Sequence, residues 1–174
     1  MFGLNNGLSM MNSLCDTFDF ILLQEHWLTS ADLYKLNCIN NDFTAFSVSA
    51  MDAKTENGIL VGRPYGGTAI LCRNSILKYV QLIEVDPTTG RYISIRYRTN
   101  SLDLIITNVY FPTYNASTDY TIECSSLVAY FERVIDDFSN CKHIIAGDFN
   151  FSCTDNSAGF CIFKRRCVKT AWTK

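Results

Sequence analysis

Three apolar stretches follow one another through the middle of the chain, over residues 76–85, 92–98 and 102–110, with only tight turns between them. Asp86-Pro87-Thr88-Thr89-Gly90 supplies turn chemistry for the first connection and Thr99-Asn100-Ser101 for the second. Strands joined this closely have no room for the long crossover that parallel pairing needs, so they pair antiparallel, which argues against a doubly wound parallel sheet. Around them, Leu4, Leu8, Met11, Leu14 and Cys15 recur at helical spacing and predict a helix over 5–16. Leu127, Tyr130, Phe131, Val134 and Phe138 form the apolar stripe of a longer helix over 118–138, with Thr118 or Asp119 as its cap. Ser30 begins a short helix through about 35, with Asp32 in its first turn. Further strands are predicted over 18–24, 43–48, 66–72 and 143–147; residues 50–65, with Gly58, Gly62 and Pro64, read as a loop. This order predicts an α/β fold of two facing mixed β-sheets flanked by helices.

The 174 residues are 48% hydrophobic and 18% charged, too apolar for a disordered chain and long enough to bury one core without disulfides. No apolar run approaches the length of a membrane span. The net charge of −2 gives no global electrostatic footprint for nucleic acid, but the charge is uneven. Residues 1–60 carry seven acids and two bases, and residues 61–115 carry three acids and six bases. Such a basic middle suits an enzyme that sets carboxylates beside a phosphate-contacting surface; ordinary surface scatter gives the same pattern. None of the eight cysteines forms a CxxC pair, and no signal peptide opens the chain, so free thiols in a reducing intracellular setting are expected.

Two buried strands end in polar clusters: Gln24-Glu25-His26-Trp27, and Gly147-Asp148-Phe149-Asn150. A carboxylate at the end of a buried strand is costly unless paired or metal-bound. Two of them converging at one sheet edge would repel, and a hard divalent cation, magnesium or manganese, would resolve the repulsion. Taken singly, Glu25 also reads as a solvated strand end and Asp148 as a turn former. Gly66-Gly67-Thr68 suggests close backbone approach at a strand start, and Tyr110 places a hydroxyl at a strand end. His143 reads as a structural residue and His26 as a loop residue near Glu25.

With Leu22-Leu23-Gln24-Glu25-His26-Trp27-Leu28, Gly66-Gly67-Thr68-Ala69-Ile70, Asn108-Val109-Tyr110-Phe111-Pro112 and Ala146-Gly147-Asp148-Phe149-Asn150 in this order, the chain resembles the endonuclease/exonuclease/phosphatase superfamily. In wording it is similar to the apurinic-type endonuclease domain of non-LTR retrotransposons, over about residues 2–151. The resemblance implies a four-layer α/β sandwich and magnesium-dependent phosphodiester hydrolysis of DNA. It implies that Glu25 binds the cation and that Asp148 shares in the metal site and activates the attacking water. It further implies that Asn150 holds phosphate and water, that Tyr110 contacts the scissile phosphate, and that Gly67 and Thr68 support the floor. The family's first-strand asparagine and its closing aspartate and histidine have no counterpart, and residues 152–174 contain no histidine. The expectation is therefore a partial domain over 1–151 with a divergent tail, an incomplete sandwich inactive by itself and carrying exposed apolar edges. Its parent element would act on DNA in the nucleus. The alternatives are a phosphatase or phospholipid phosphodiesterase of the same superfamily, or a non-catalytic binding module. Lys164-Arg165-Arg166 reads as a solvated tail or a nucleic-acid-contacting or nuclear-import patch.

Overall fold

The computed structural model describes residues 2–56, 59–60, 62–114 and 118–151. Among the described residues two α-helices, α1 (Phe2–Thr17) and α2 (Thr118–Asp137), accompany nine strands. These are β1 (Phe20–Gln24), β2 (Phe43–Val48), β3 (Thr55–Glu56), β4 (Ile59–Leu60), β5 (Thr68–Arg73), β6 (Val80–Val85), β7 (Tyr92–Arg98), β8 (Asp103–Tyr110) and β9 (Lys142–Asp148). The chain forms two compact units, Met1–Tyr110 with His143–Gly147, and Phe111–Lys142 with Asp148–Lys174.

In the first unit one sheet has the order β1-β5-β2 and the second the order β6-β7-β8-β9. The pairs of β5 with β1 and β2, and of β7 with β6 and β8, are antiparallel. Strand β5 is central and buried on both faces, which is why its sequence is continuously apolar. Its Ala69 and Leu71 join Met11 and Cys15 of α1, Ile21, Leu36 and Phe43 in one core. Its Ile70 and Cys72 point the other way and meet Ile93, Ile95 and Ile106 of the second sheet. The two sheets thus face each other across β5, β7 and β8, with α1 outside the first, in the expected α/β sandwich class. Arg73 ties α1 down: its Nη2 donates to the carbonyls of Cys15 and Phe18, and its Nε donates to Asp19 at 2.8 Å. A cation on the last carbonyls of a helix also complements the helix dipole.

The second unit holds α2, whose Leu127, Val128, Tyr130, Phe131 and Val134 are buried along one stripe as its periodicity predicts.

Three expectations need correction. The stretch 76–85 is a strand only from Val80, because Asn74–Tyr79 forms a 3-10 turn. Asn74 fixes that turn: its N–H donates to Asp42 O, its side-chain amide donates to Asn41 O at 3.0 Å, and its Oδ1 accepts from Thr44. The loop over 50–65 contains a 3-10 turn at Asp52–Lys54 and the β3–β4 pair, a two-residue ladder too short to leave a period in the sequence. The apolar run at 143–147 is not a fully buried strand: β9 is the last strand in its sheet order, and Ile144 is 48% exposed.

Candidate active site

In the first unit, strand β1 ends by leaving the extended region. Glu25 and Trp27 adopt left-handed backbone conformations at φ +53° and +58°, costly for residues with a Cβ. His26 between them is the anchor. The Leu28 N–H donates to its Nδ1 at 3.1 Å, so the proton lies on Nε2, which donates to Val48 O at 3.1 Å. Burial pushes the imidazole pKa down, so the ring is neutral as this pattern requires. Trp27 N–H adds a bond to Gly66 O at 3.1 Å. The ring is also why residue 67 is glycine: a Cβ there would lie 2.4 Å from His26 Cε1. With His26 buried, Glu25 and the flanking Trp27 indole are left exposed.

Tyr110, the last residue of β8, meets this turn. Its hydroxyl donates to Glu25 Oε1. On the other side Arg91 stands 5.6 Å from the phenol centroid, and its Nη1 donates to Tyr110 O at 3.4 Å. One carboxylate, one phenol and one guanidinium therefore follow in sequence at this end of the unit. Below them lies Asn108, fully buried. Its Nδ2 donates to Leu23 O and to Ala69 O, each at 2.8 Å, and its Oδ1 accepts from Gln24 Nε2. Since Leu23 and Ala69 are register partners, one amide of the second sheet bridges two strands of the first.

In the second unit, Asp148 and Asn150 are held on the backbone of Phe111. The Phe111 N–H donates to Asp148 O at 2.8 Å, and Asn150 Nδ2 donates to Phe111 O at 2.8 Å. Asn150 N–H donates to Asp148 Oδ1 at 2.9 Å, a side-chain turn that lets Asn150 take φ +49°. The rings of Phe149 and Phe151 pack on Phe111 at centroid distances of 5.5 and 5.2 Å. The Asp148 carboxylate stays exposed.

Of the residues predicted from sequence, Glu25 and Tyr110 are brought into contact in the first unit, and Asp148 and Asn150 in the second. Thr68 is buried opposite Gln24 and Val48 in register. His26 lies in the loop after β1, as read, and is buried there as its anchor. Asn108 opens one of the four quoted motifs but is given no role there, and Arg91, an arginine before a strand, carries no motif of its own. A polar residue amid Ile105, Ile106 and Val109 was the available signal for Asn108. Among the described residues no three His, Cys, Asp or Glu side chains gather into a metal cluster. Glu25 nevertheless fits a hard cation. It is an exposed oxygen donor on a fixed turn, and magnesium is commonly held by one or two carboxylates with water filling the remaining positions.

No curated protein sequence matches the chain. Solved structures do. The endonuclease domain of TRAS1, a telomere-specific non-LTR retrotransposon, superimposes with a TM-score of 0.63 at 14% identity, covering 96% of this chain and 66% of that one. The 3′ phosphatase NExo from Neisseria, bound to a product DNA hairpin, gives 0.58 at 19% identity over 87% and 56%. The Bacteroides thetaiotaomicron mannosyl-6-phosphatase Bt3783 gives 0.60 at 16% over 91% and 61%. At these identities the likeness shows the fold, and the chain spans about three fifths of the length of such neighbours. The model of the endonuclease/exonuclease/phosphatase family matches residues 5–160, and the chain belongs to that family.

Proposed function

We propose that the chain carries the hydrolytic half-site of a metal-dependent phosphodiesterase acting on DNA, of the non-LTR retrotransposon endonuclease type. The observation that carries the reading is the Tyr110 hydroxyl on the Glu25 carboxylate, at the end of a strained turn. Strain held in place by a buried anchor is characteristic of functional positions.

In this reading Glu25 holds a magnesium or manganese ion with its exposed carboxylate. Such an ion supplies positive charge that polarises a phosphoryl oxygen and stabilises the departing oxyanion. Tyr110, steadied by Arg91, keeps its one hydroxyl proton on Glu25 and so orients that carboxylate beside the phosphate. Asp148, exposed in the second unit, is the carboxylate that takes the proton from an attacking water. Asn150, whose amide nitrogen already donates to Phe111 O, holds the Asp148 turn and offers its carbonyl end to that water. The exposed Trp27 indole beside Glu25 gives a base a surface to stack on, which favours a nucleic acid over a small phosphomonoester.

Calorimetric titration with magnesium tests the assignment. Binding should be seen with the unaltered chain and lost in Glu25→Gln; absence of Glu25-dependent binding would overturn it. The substrate class is read by comparing magnesium-dependent nicking of a supercoiled plasmid with hydrolysis of p-nitrophenyl phosphate. Preference for the phosphomonoester would favour a phosphatase instead.

A further inference from the structure

Within the first unit, the end of the second sheet far from Tyr110 carries a groove that none of the residues above lines. It has a volume of about 200 Å³ and is formed by Lys78, Tyr79, Val80, Gln81, Arg96 and Arg98. Gln81 and Arg96 are register partners of β6 and β7, and Arg98 follows on the same face. Asp103 is ion-paired with two of these bases. It takes Arg96 in a two-point pair at 2.7 and 2.6 Å and lies 3.6 Å from Arg98 Nε. Lys78 Nζ stands 4.9 Å from the Tyr79 ring centroid and has no carboxylate partner among the described residues. Three cations, Lys78, Arg96 and Arg98, thus line the groove. Beside the groove the aromatic rings are ordered: Tyr79 meets Tyr97 edge-on at 6.3 Å, and Tyr97 meets Phe20 edge-on at 5.5 Å.

We propose that this groove docks a backbone phosphate of a single nucleic-acid strand, at a position about 24 Å along β8 from Tyr110 by strand rise. The chemistry favours a polyanion over a captured ion. The Arg98 side chain is 68% exposed and Lys78 is exposed, so the cations lie along an open groove and do not enclose one buried ion. Cations interleaved with an exposed tyrosine are the usual makeup of a surface that tracks a strand without reading its sequence. The partner class rests on the nucleic-acid reading above, but the hydrolytic chemistry does not enter.

The test is fluorescence anisotropy of a labelled oligothymidylate in EDTA, over a series of salt concentrations. Lys78→Ala and Arg98→Ala should each weaken binding about fivefold and lower the slope of log affinity against log salt by about 0.7. Both side chains are exposed, so circular dichroism should be unchanged. Lys35→Ala, at a lysine that does not line the groove, should bind as the unaltered chain does. Groove variants with unchanged affinity and slope would overturn the proposal. So would displacement of the oligonucleotide by inorganic phosphate at equal total phosphate, since the groove would then be an ion site. Cleavage is measured separately with magnesium, so failure of the groove and failure of the hydrolase reading give different results.

Discussion

The bridge made by Asn108 can be broken without altering the volume of the side chain. Asn108→Asp removes the Nδ2 that donates to Leu23 O and Ala69 O and sets a carboxylate oxygen against both carbonyls. Each buried carbonyl left without its donor costs about 1–3 kcal/mol, and the desolvated charge adds to this. A loss of about 4 kcal/mol at pH 7 follows, a large share of the 5–15 kcal/mol typical of a small domain. The sign of its pH dependence is fixed by burial. The new carboxyl has a folded-state pKa above its unfolded value of about 3.9. The fold therefore prefers the protonated form, and the deficit grows as pH rises through the folded pKa. Urea denaturation followed by circular dichroism at pH 5 and pH 7, each variant compared with the unaltered chain at the same pH, measures both quantities. A midpoint at pH 7 within about 1 kcal/mol of the unaltered chain would refute the bridge.

Gly147→Ala should destabilise by about 3 kcal/mol or more, because at φ +141° its Cβ would lie 2.0 Å from Val109 O, a backbone atom with nowhere to move. Gly67→Ala should also be costly, and much of that cost should vanish in the His26→Ala background, where the ring that the Cβ strikes is gone; a thermal-denaturation double-mutant cycle with no coupling would contradict the packing argument. His26 has a lowered pKa, so its contribution is present above the ordinary value of 6.5 and is lost as pH falls through its folded pKa. His26→Gln should remove that part of the acid sensitivity, read as a flatter dependence of urea midpoint on pH. Burial pushes the Cys72 thiol up to about 12 and raises that of Cys15, so native alkylation with iodoacetamide followed by mass spectrometry should label exposed Cys38 and spare both.

The sheets were legible in the sequence because burial leaves a period. The continuous run of β5 announces two covered faces, and the turns at 86–90 and 99–101 announce antiparallel neighbours. What was not legible was decided by single side chains. Nothing in Ile76-Leu77 says that Asn74 holds the preceding turn to the start of β2, so the chain there coils before it extends. The β3–β4 ladder pairs two residues with two and has no period to detect. At the candidate site the carboxylates could be picked out as polar residues after apolar strands, and Tyr110 as a hydroxyl at a strand end. Their supports could not. His26 works through which nitrogen carries its proton, and Asn108 through two carbonyls on other strands. Both are facts of tertiary geometry.

Those supports suggest why the turn after β1 keeps glutamate where glycine would be easier. A residue with a Cβ pays about 1 kcal/mol or more for a left-handed backbone, and Glu25 adopts one at φ +53° with no compensating core contact, since it is exposed. Its hydrogen bond from Tyr110 restrains the side chain but gives little back at the surface. If the conformation exists to present a carboxylate, stability and cation binding should separate on substitution. Glu25→Gly should be more stable than Glu25→Ala by about 1 kcal/mol, the cost of the Cβ, even though glycine gains more entropy on unfolding. Both should lose magnesium binding equally, because neither has an oxygen donor. Thermal denaturation and calorimetry on the two variants decide the matter. If Glu25→Ala proved as stable as Glu25→Gly, the turn would not be strained, and the inference from backbone geometry to function at this position would fail.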